Sequence, residues 1–387
     1  MRRSKRSEVD AFIVMDVMEA ARAAEAAGRH IVHMEVGQPG TPAPEAARKA
    51  LGRAMDAGAL GYTVALGLPA LRARIAGLYR EWYGLEVDPA RIVVTSGASG
   101  AFLLAFTALF DSGARVALGE PCYPSYRQIL RALGMEPVGL RTLAEHRYQP
   151  RPEDLAGAGL DGLIVASPSN PSGTMLDREA MTALIEAAAR EGVSYISDEI
   201  YHGVHYDRPA VSALEISDDV YVINSFSKYF SMTGWRVGWM VVPSDHVRTV
   251  ERLAQNMFIC PPHASQVTAL AALDAREELD ANLAVYRRNR ELMLKGLPAA
   301  GFSRIAPPDG AFYVYADVSE FTDDSRAFAA QILEEAGVAV TPGLDFDPHR
   351  GGGTLRFSYA AATPEIELGL ERLRAFMQAR GHVPPAG

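Results

Sequence analysis

Residues 224–239 read Asn-Ser-Phe-Ser-Lys-Tyr-Phe-Ser-Met-Thr-Gly-Trp-Arg-Val-Gly-Trp, and the interpretation of the chain starts from them. This segment places Lys228 among apolar and aromatic residues, with small hydroxyls before it and Arg236 after it. Burial and a nearby arginine would lower the pKa of the lysine and leave a neutral amine, which can form an imine with an aldehyde. Arg236 could hold a separate anionic group. A surface lysine beside a buried strand is the alternative, which this segment alone does not exclude.

The composition bounds the class of protein. At 387 residues with 48% hydrophobic side chains, the chain is long enough for two domains, or for one large domain with a smaller one appended. A net charge of −9 argues against a nucleic-acid or membrane-surface protein. Cys122 and Cys260 make no disulfide framework. The apolar runs 11–15 and 101–110 are too short for a signal peptide core and a membrane span respectively. We therefore expect a cytoplasmic protein.

The central part of the chain alternates apolar strands with helices. That alternation predicts an α/β fold with a mostly parallel sheet and helices on both faces. The predicted strands span 91–95, 115–118, 161–166, 193–197, 221–225 and 236–242, and the last could run antiparallel to its neighbours. The predicted helices include 17–27, 68–83, 101–110, 177–191, 244–256 and one long stretch, 266–297.

The last section of the chain changes character. Strands predicted at 311–318, 338–341 and 354–359, with helices at 325–337 and 364–380, indicate a smaller α+β unit. We assign three regions: 1–45 as an N-terminal arm and part of the small domain, 46–290 as the large domain, and 291–387 as the small domain.

Several loops between these elements carry candidate ligand contacts. The small-residue turn 96–100 leads into a helix and would present free N–H groups to an anion. Tyr123 follows a strand, where its ring could stack on a flat ligand. Two prolines around Asn170 would hold its amide rigidly. Asp198 ends a predicted strand of the parallel sheet, where ligands bind in such folds.

One rival interpretation is a metal site. Asp198, Glu199, His202 and His205 form an acid and imidazole cluster, and Asp198 with His202 would share a helix face. The spacing matches no common zinc motif, and Gly203 falls between the two histidines. We therefore expect no metal here.

Four motifs occur in one order along the chain and resemble those of the class I/II aminotransferases, which belong to the fold type I, pyridoxal phosphate dependent enzymes. They are Asn170-Pro-x-Gly-Thr, Asp198-x-x-Tyr201, Ser225-x-Ser-Lys228 and Met-Thr-Gly-Trp-Arg236-Val-Gly. The resemblance covers residues 12–380 or so. It implies a large domain with a mostly parallel seven-stranded sheet flanked by helices, plus a smaller α+β domain.

The resemblance also implies pyridoxal 5'-phosphate as the cofactor. Lys228 would hold it as a Schiff base, Asp198 would pair with the pyridine nitrogen, and Tyr201 and Asn170 would bond the ring oxygen. Tyr123 would stack on the ring. The phosphate ligands would be Arg236, Ser225, the N–H groups of Ala98 and Ser99, and Tyr62 from the partner subunit of a homodimer.

For the substrate, the resemblance implies that Arg356 and the Gly37 backbone, with Asn170, bind the α-carboxylate. The implied reaction is ping-pong transfer of an amino group from an L-amino acid to a 2-oxo acid. The side-chain pocket would come from 12–14, 40–41 and the partner's 260–263 loop, which are mostly apolar and favour a neutral or aromatic donor. Donor and acceptor stay open.

Two alternatives accompany this interpretation. A C–S β-lyase or another elimination enzyme of the same fold would use the same lysine and aspartate. A ligand sensor joined to a DNA-binding module is disfavoured, because about 40 residues before the fold leave no room for such a module and the charge is acidic.

Overall fold

The computed structural model describes residues 1–383, which form twelve β-strands and eleven α-helices. The strands are β1 (Val32–Met34), β2 (Ile92–Thr95), β3 (Arg115–Glu120), β4 (Glu136–Arg141), β5 (Gly162–Ala166), β6 (Ser194–Asp198), β7 (Tyr221–Ser225), β8 (Gly238–Val241), β9 (Ile305–Ala306), β10 (Tyr313–Asp317), β11 (Val338–Pro342) and β12 (Thr354–Ser358). The helices are α1 (Ile13–Ala26), α2 (Glu45–Ala57), α3 (Pro69–Tyr83), α4 (Gly97–Leu109), α5 (Pro124–Leu133), α6 (Arg178–Glu191), α7 (Val247–Met257), α8 (His263–Ala272), α9 (Arg276–Ala299), α10 (Ser325–Gln331) and α11 (Thr363–Ala379).

The larger sheet has seven strands in the order β2-β8-β7-β6-β5-β3-β4. All its neighbouring strands are parallel except β8, which runs antiparallel to β2 and β7. Every residue of β2, β7 and β8 is buried, as expected for a sheet covered on both faces. The prediction of a mostly parallel, seven-stranded sheet is therefore confirmed.

Local sequence explains the crossover between β5 and β6. The Asp177 side chain accepts a hydrogen bond from the Ala180 N–H at the start of α6. Gly192 ends the helix with φ +69°, a left-handed conformation that glycine adopts without steric cost. Strand β6 begins two residues after Gly192 and runs parallel to β5.

The smaller sheet joins the two ends of the chain. Its strand order is β1-β11-β12-β10-β9, with β1 parallel to β11. Residues 1–45 thus contribute a strand to the C-terminal sheet. The boundary expected near residue 290 falls within α9, and the domain limits stay a prediction.

Two elements of the large sheet region escaped the sequence analysis. Strand β4 contains Pro137 and Gly139 and is exposed at the sheet edge, so it lacks apolar alternation. Helix α5 follows directly after Tyr123, in a segment left as a loop. Residues 97–100, predicted as a turn, are the first turn of α4.

The long helix predicted over 266–297 is wrong, because the chain forms α8 and α9 with a break between them. Arg74 lies at this break. Its Nε donates to Asp274 Oδ1 at 2.8 Å and its Nη2 to the Leu273 carbonyl at 2.9 Å. These bonds satisfy groups at the C-terminus of α8 that would otherwise lack partners.

Among the helices of residues 1–383, none combines the length and the apolar character needed to cross a membrane. The cytoplasmic location stays a prediction.

Candidate active site

One cavity of about 230 Å³ lies where the carboxyl ends of β5 and β6 meet the segments that follow β7 and precede α2. It gathers ten of the residues singled out in the sequence. They are Gly37, Ala98, Ser99, Tyr123, Asn170, Asp198, Tyr201, Lys228, Arg236 and Arg356. Two others, Ser225 and Tyr62, do not line it.

Lys228 projects its amine into this cavity. Its Nζ donates a hydrogen bond to the Gly37 carbonyl at 2.6 Å and lies 5.5 Å from the centre of the Tyr201 ring. Burial, and then the positive charge of Arg356, lower the pKa of Lys228 to about 7. A substantial fraction of the amine is therefore neutral, and nucleophilic, at neutral pH.

Asp198 occupies the last position of β6 and is 4% exposed. Its carboxylate accepts hydrogen bonds from the Tyr126 hydroxyl and, at 3.0 Å, from the Ile200 N–H. Burial raises the pKa of Asp198 to about 6, while these two bonds and the Lys228 charge favour the ionised form. Tyr126 was not predicted. It lies on α5, the helix that the sequence analysis missed.

Tyr201 and Tyr313 form a second pair in the cavity. Their hydroxyl oxygens are 2.7 Å apart, and both side chains are buried. A Cβ atom at position 37 would overlap the Tyr313 hydroxyl, so glycine is required there for this close approach. Tyr313, on β10, was also missed, because nothing near it in sequence marks it as a site residue.

Arg356 is a buried cation, 4% exposed, on β12. Its Nη1 donates to Asn170 Oδ1 at 2.8 Å, and its Nη2 donates to the Glu35 carbonyl and, at 3.2 Å, to Thr341 Oγ1. Its Nε has no partner within residues 1–383. The guanidinium lies 4.2 Å from the centre of the Tyr313 ring and 4.7 Å from that of Phe346, and its charge acts on the Asp345 carboxylate. None of these contacts is a hydrogen-bonded carboxylate pair, so the guanidinium can still bind a ligand carboxylate.

The anion cradle predicted at 96–100 lies beside Arg236. Arg236 has φ +50° and donates from Nη1 to the Thr233 carbonyl at 2.9 Å. A Cβ atom at Gly97 would clash with its Nη2, so the guanidinium packs directly on the first turn of α4. The helix N-terminus and the guanidinium together favour an anion such as a phosphate.

Ser225, a predicted phosphate ligand, does not line the cavity. Ser225 is the last residue of β7, and its hydroxyl donates to Ser227 Oγ at 2.9 Å and to the Val237 carbonyl at 3.2 Å. Ser227, two residues on, lines the cavity instead.

Tyr123 and Tyr62 lie in contrasting environments. The Tyr123 ring lines the cavity and makes edge contacts with Phe12 and Tyr126, at centroid distances of 5.9 and 5.3 Å. Tyr62 is 83% exposed on the surface of this chain.

The acid and imidazole cluster does not converge on one point. Asp198 faces the cavity, whereas the Glu199 carboxylate accepts bonds from Ser212 Oγ and the Ala213 N–H. His202 bonds the Ser167 carbonyl through Nε2. Within residues 1–383, no three metal-ligating side chains are grouped so as to hold an ion.

Comparison with known proteins identifies the family. The family model "Aminotransferase class I and II" matches residues 29–373. The chain belongs to the class I and II aminotransferases. It is 46% identical over 381 residues to a valine–pyruvate aminotransferase of Mycobacterium tuberculosis, covering 97% of this chain and 98% of that protein.

Solved structures agree. A protein of Silicibacter pomeroyi with a known crystal structure is 70% identical, with a TM-score of 0.94 over 98% of this chain and 100% of the other. The aspartate aminotransferase of Thermus thermophilus, crystallised with maleate, is 32% identical, with a TM-score of 0.91 over 97% of this chain and 100% of that one. The protein is thus an aminotransferase with the expected fold, and the elimination alternative gains no support.

Proposed function

We propose that this aminotransferase carries pyridoxal 5'-phosphate on Lys228 and moves an amino group from an L-amino acid to a 2-oxo acid by a ping-pong mechanism. The observation that carries the proposal is the partly buried Lys228 amine, whose pKa is lowered to about 7, in one cavity with the Asp198 carboxylate. An amine that is partly neutral at neutral pH can bind an aldehyde covalently.

The residues around this amine fit the cofactor's three polar parts. Asp198 would keep the pyridine nitrogen protonated, and its bonds from Tyr126 and the Ile200 N–H hold its carboxylate in place. Tyr201 and Asn170 would bond the ring oxygen, and Tyr123 would stack on the ring. When bound, pyridoxal phosphate supplies the electron sink that makes cleavage of a Cα–H bond accessible.

For the cofactor phosphate we propose Arg236 and the N–H groups of Ala98 and Ser99. The packing of the Arg236 guanidinium against Gly97 supports a shared anion site. Ser225 stays a predicted ligand, but Ser227 lines the cavity and is the better candidate for direct contact.

The substrate would be oriented by Arg356, Asn170 and the Gly37 backbone. The Arg356 guanidinium has no hydrogen-bonded carboxylate partner in the described chain, so the substrate α-carboxylate would supply that partner. With the carboxylate bound there, the Lys228 amine can accept the Cα proton and return it, since its pKa of about 7 suits both tasks at neutral pH.

A homodimer with shared sites remains part of the proposal. Four apolar side chains are exposed on two segments: Tyr62, Val64, Met257 and Ile259. The segments are joined by the Thr63 N–H donating to Cys260 Sγ at 3.4 Å and by His263 Nδ1 at 2.9 Å from the Gly61 carbonyl. Apolar side chains exposed together in this way favour a protein interface, through which Tyr62 would reach the partner's phosphate site.

Borohydride trapping tests the proposal directly. Reduction of the protein with bound pyridoxal phosphate, followed by peptide mass spectrometry, is expected to place the cofactor on Lys228. Lys228→Ala should abolish transamination and trapping, whereas Lys295→Ala, which alters an exposed lysine of α9, should change neither. Substantial turnover by Lys228→Ala, or an adduct elsewhere, contradicts the assignment. Light scattering of the same preparation tests the dimer.

A further inference from the structure

Part of the cavity lining is not used by the proposed contacts to cofactor and carboxylate. These remaining side chains are largely apolar and come from α1, the residue before it, and α5. They include Phe12, Val14, Met15, Met18 and Ile129. Thioether and aromatic side chains of this kind fit varied apolar groups.

Within residues 1–383, the cationic side chains that line the cavity are Lys228, Arg236 and Arg356, each already assigned a task. Arg127 lies on α5 near Ile129, but it pairs with Glu120 at 2.9 Å, and both are buried. It is therefore not free to bind a second substrate carboxylate.

The patch proposed to face the partner adds no lysine or arginine of its own. Segments 61–64 and 257–263, which carry the exposed apolar side chains, contain neither, and the flanking arginines of the second segment are Arg252 and Arg276. A donor with an acidic side chain would therefore lose the hydration of its distal carboxylate without gaining a cation. An apolar side chain would instead be stabilised by leaving water.

The start of α1 is held over this region by a residue far away in sequence. Asp345 is 4% exposed, and its Oδ1 and Oδ2 accept hydrogen bonds from the N–H groups of Ile13 and Val14 at 2.9 and 3.3 Å. Phe12 makes no side-chain cap, so Asp345 supplies the cap to the first turn. The edge contact of Phe12 with Tyr123 then ties this turn to the ring proposed to stack on the cofactor.

We propose that the amino donor has an apolar side chain that binds against Phe12, Met15, Met18 and Ile129, and that Asp345 is the positioning residue that fixes α1 for this selection. The proposal rests on the aminotransferase function of the same cavity. It adds the class of amino donor and names Asp345 as the residue that holds the start of α1 against the donor's side chain.

Donor selectivity is the first test. Single-turnover half-reactions of the protein with bound pyridoxal phosphate are followed with L-leucine, L-phenylalanine and L-aspartate. We expect kcat/KM for the better apolar donor to exceed that for aspartate by about 100-fold, since a buried unpaired carboxylate costs at least that much. As a readout besides activity, 4-methyl-2-oxopentanoate should raise the melting temperature more than 2-oxoglutarate does.

The outcomes separate this inference from the proposed function. A preference for aspartate, with trapping still on Lys228, overturns the donor class alone. Failure of every donor together with absence of trapping overturns both.

Variants at the cap test the positioning role. Asp345→Ala also removes a charge that acts on Arg356, which should affect all donors alike. Beyond that shared effect, the variant should lower kcat/KM for leucine by about 10-fold relative to L-alanine, whose side chain is too short to reach α1. Asp345→Asn, which keeps one acceptor oxygen, should restore most of the loss. The matched control is Asp177→Ala, which removes the cap of α6 away from the cavity and should affect both donors equally. Equal losses for leucine and alanine in Asp345→Ala overturn the positioning role.

Discussion

Replacement of Gly97 by alanine separates backbone strain from loss of the phosphate site. Gly97 opens α4 with φ +72°, and an added Cβ would clash with Nη2 of Arg236. Two effects should follow. The left-handed backbone becomes strained, and the guanidinium must leave the first turn of the helix.

The backbone strain is measured as a loss of stability, and the displacement of Arg236 is measured as a loss of cofactor affinity. Alanine at a left-handed position costs about 1–2 kcal/mol, which lowers the free energy of unfolding of the apoprotein. Displacement of Arg236 removes a charge-assisted bond to the phosphate, worth about 1.5–3 kcal/mol, so the affinity for pyridoxal phosphate should fall by about 10- to 150-fold.

Gly192 provides the matched control. It caps α6 with φ +69°, and an added Cβ would meet no atom within 4 Å. Gly192→Ala should therefore show the same loss of stability in urea unfolding but bind pyridoxal phosphate as tightly as the unaltered protein in an absorbance titration. If Gly97→Ala also keeps full affinity, Arg236 and the α4 N-terminus are not the phosphate site.

Two further predictions concern the charged groups near the ring. Because the pKa of Lys228 is lowered to about 7, the rate at which the apoprotein binds pyridoxal phosphate covalently should rise up to about pH 7 and level off above pH 8. Stopped-flow absorbance measures this rate. A rate that still rises at pH 10 would indicate a lysine with an ordinary pKa. Tyr126→Phe removes a hydroxyl donor to Asp198 and should raise the pKa of that carboxyl further above about 6, which shifts the pH dependence of cofactor affinity to higher pH. Tyr195→Phe, whose buried hydroxyl has no partner within residues 1–383, is the control and should leave that dependence unchanged.

The sequence could predict those site residues that are identified by the pattern of their immediate neighbours in the chain. Asp198 and Lys228 were found because Asp198 lies at the end of one apolar strand and Lys228 comes shortly after another, and each strand can be recognised from its own residues. The antiparallel direction of β8 could be suggested but not decided from the sequence, because a strand of four residues carries no mark of its neighbours' direction.

The residues that were missed depend on tertiary contacts. Tyr313 bonds Tyr201 across 112 positions, and Tyr126 bonds Asp198 across 72. Asp345 caps α1 from more than 330 positions away. No local pattern encodes such pairs, and for Tyr126 the helix itself was missed because it follows a loop rich in proline. The choice between Ser225 and Ser227 similarly depends on which hydroxyl the turn after β7 directs into the cavity.

The charge balance of the cavity links these observations to the chemistry. A protein with a net charge of −9 lines this cavity with Lys228, Arg236 and Arg356 against the single carboxylate of Asp198, counting the residues that the structure describes. Of the two arginines, Arg356 is buried and Arg236 is exposed, so neutralisation by a ligand anion stabilises the fold chiefly at Arg356. The positive charge of Lys228 is partly removed at neutral pH, because its pKa is lowered to about 7. The two arginines cannot lose their charge in this way, and they lie at separate places, where each can pair with an anionic group. A phosphate at Arg236 and a carboxylate at Arg356 would match these two cations, and the aldehyde of the proposed cofactor would be bound by Lys228.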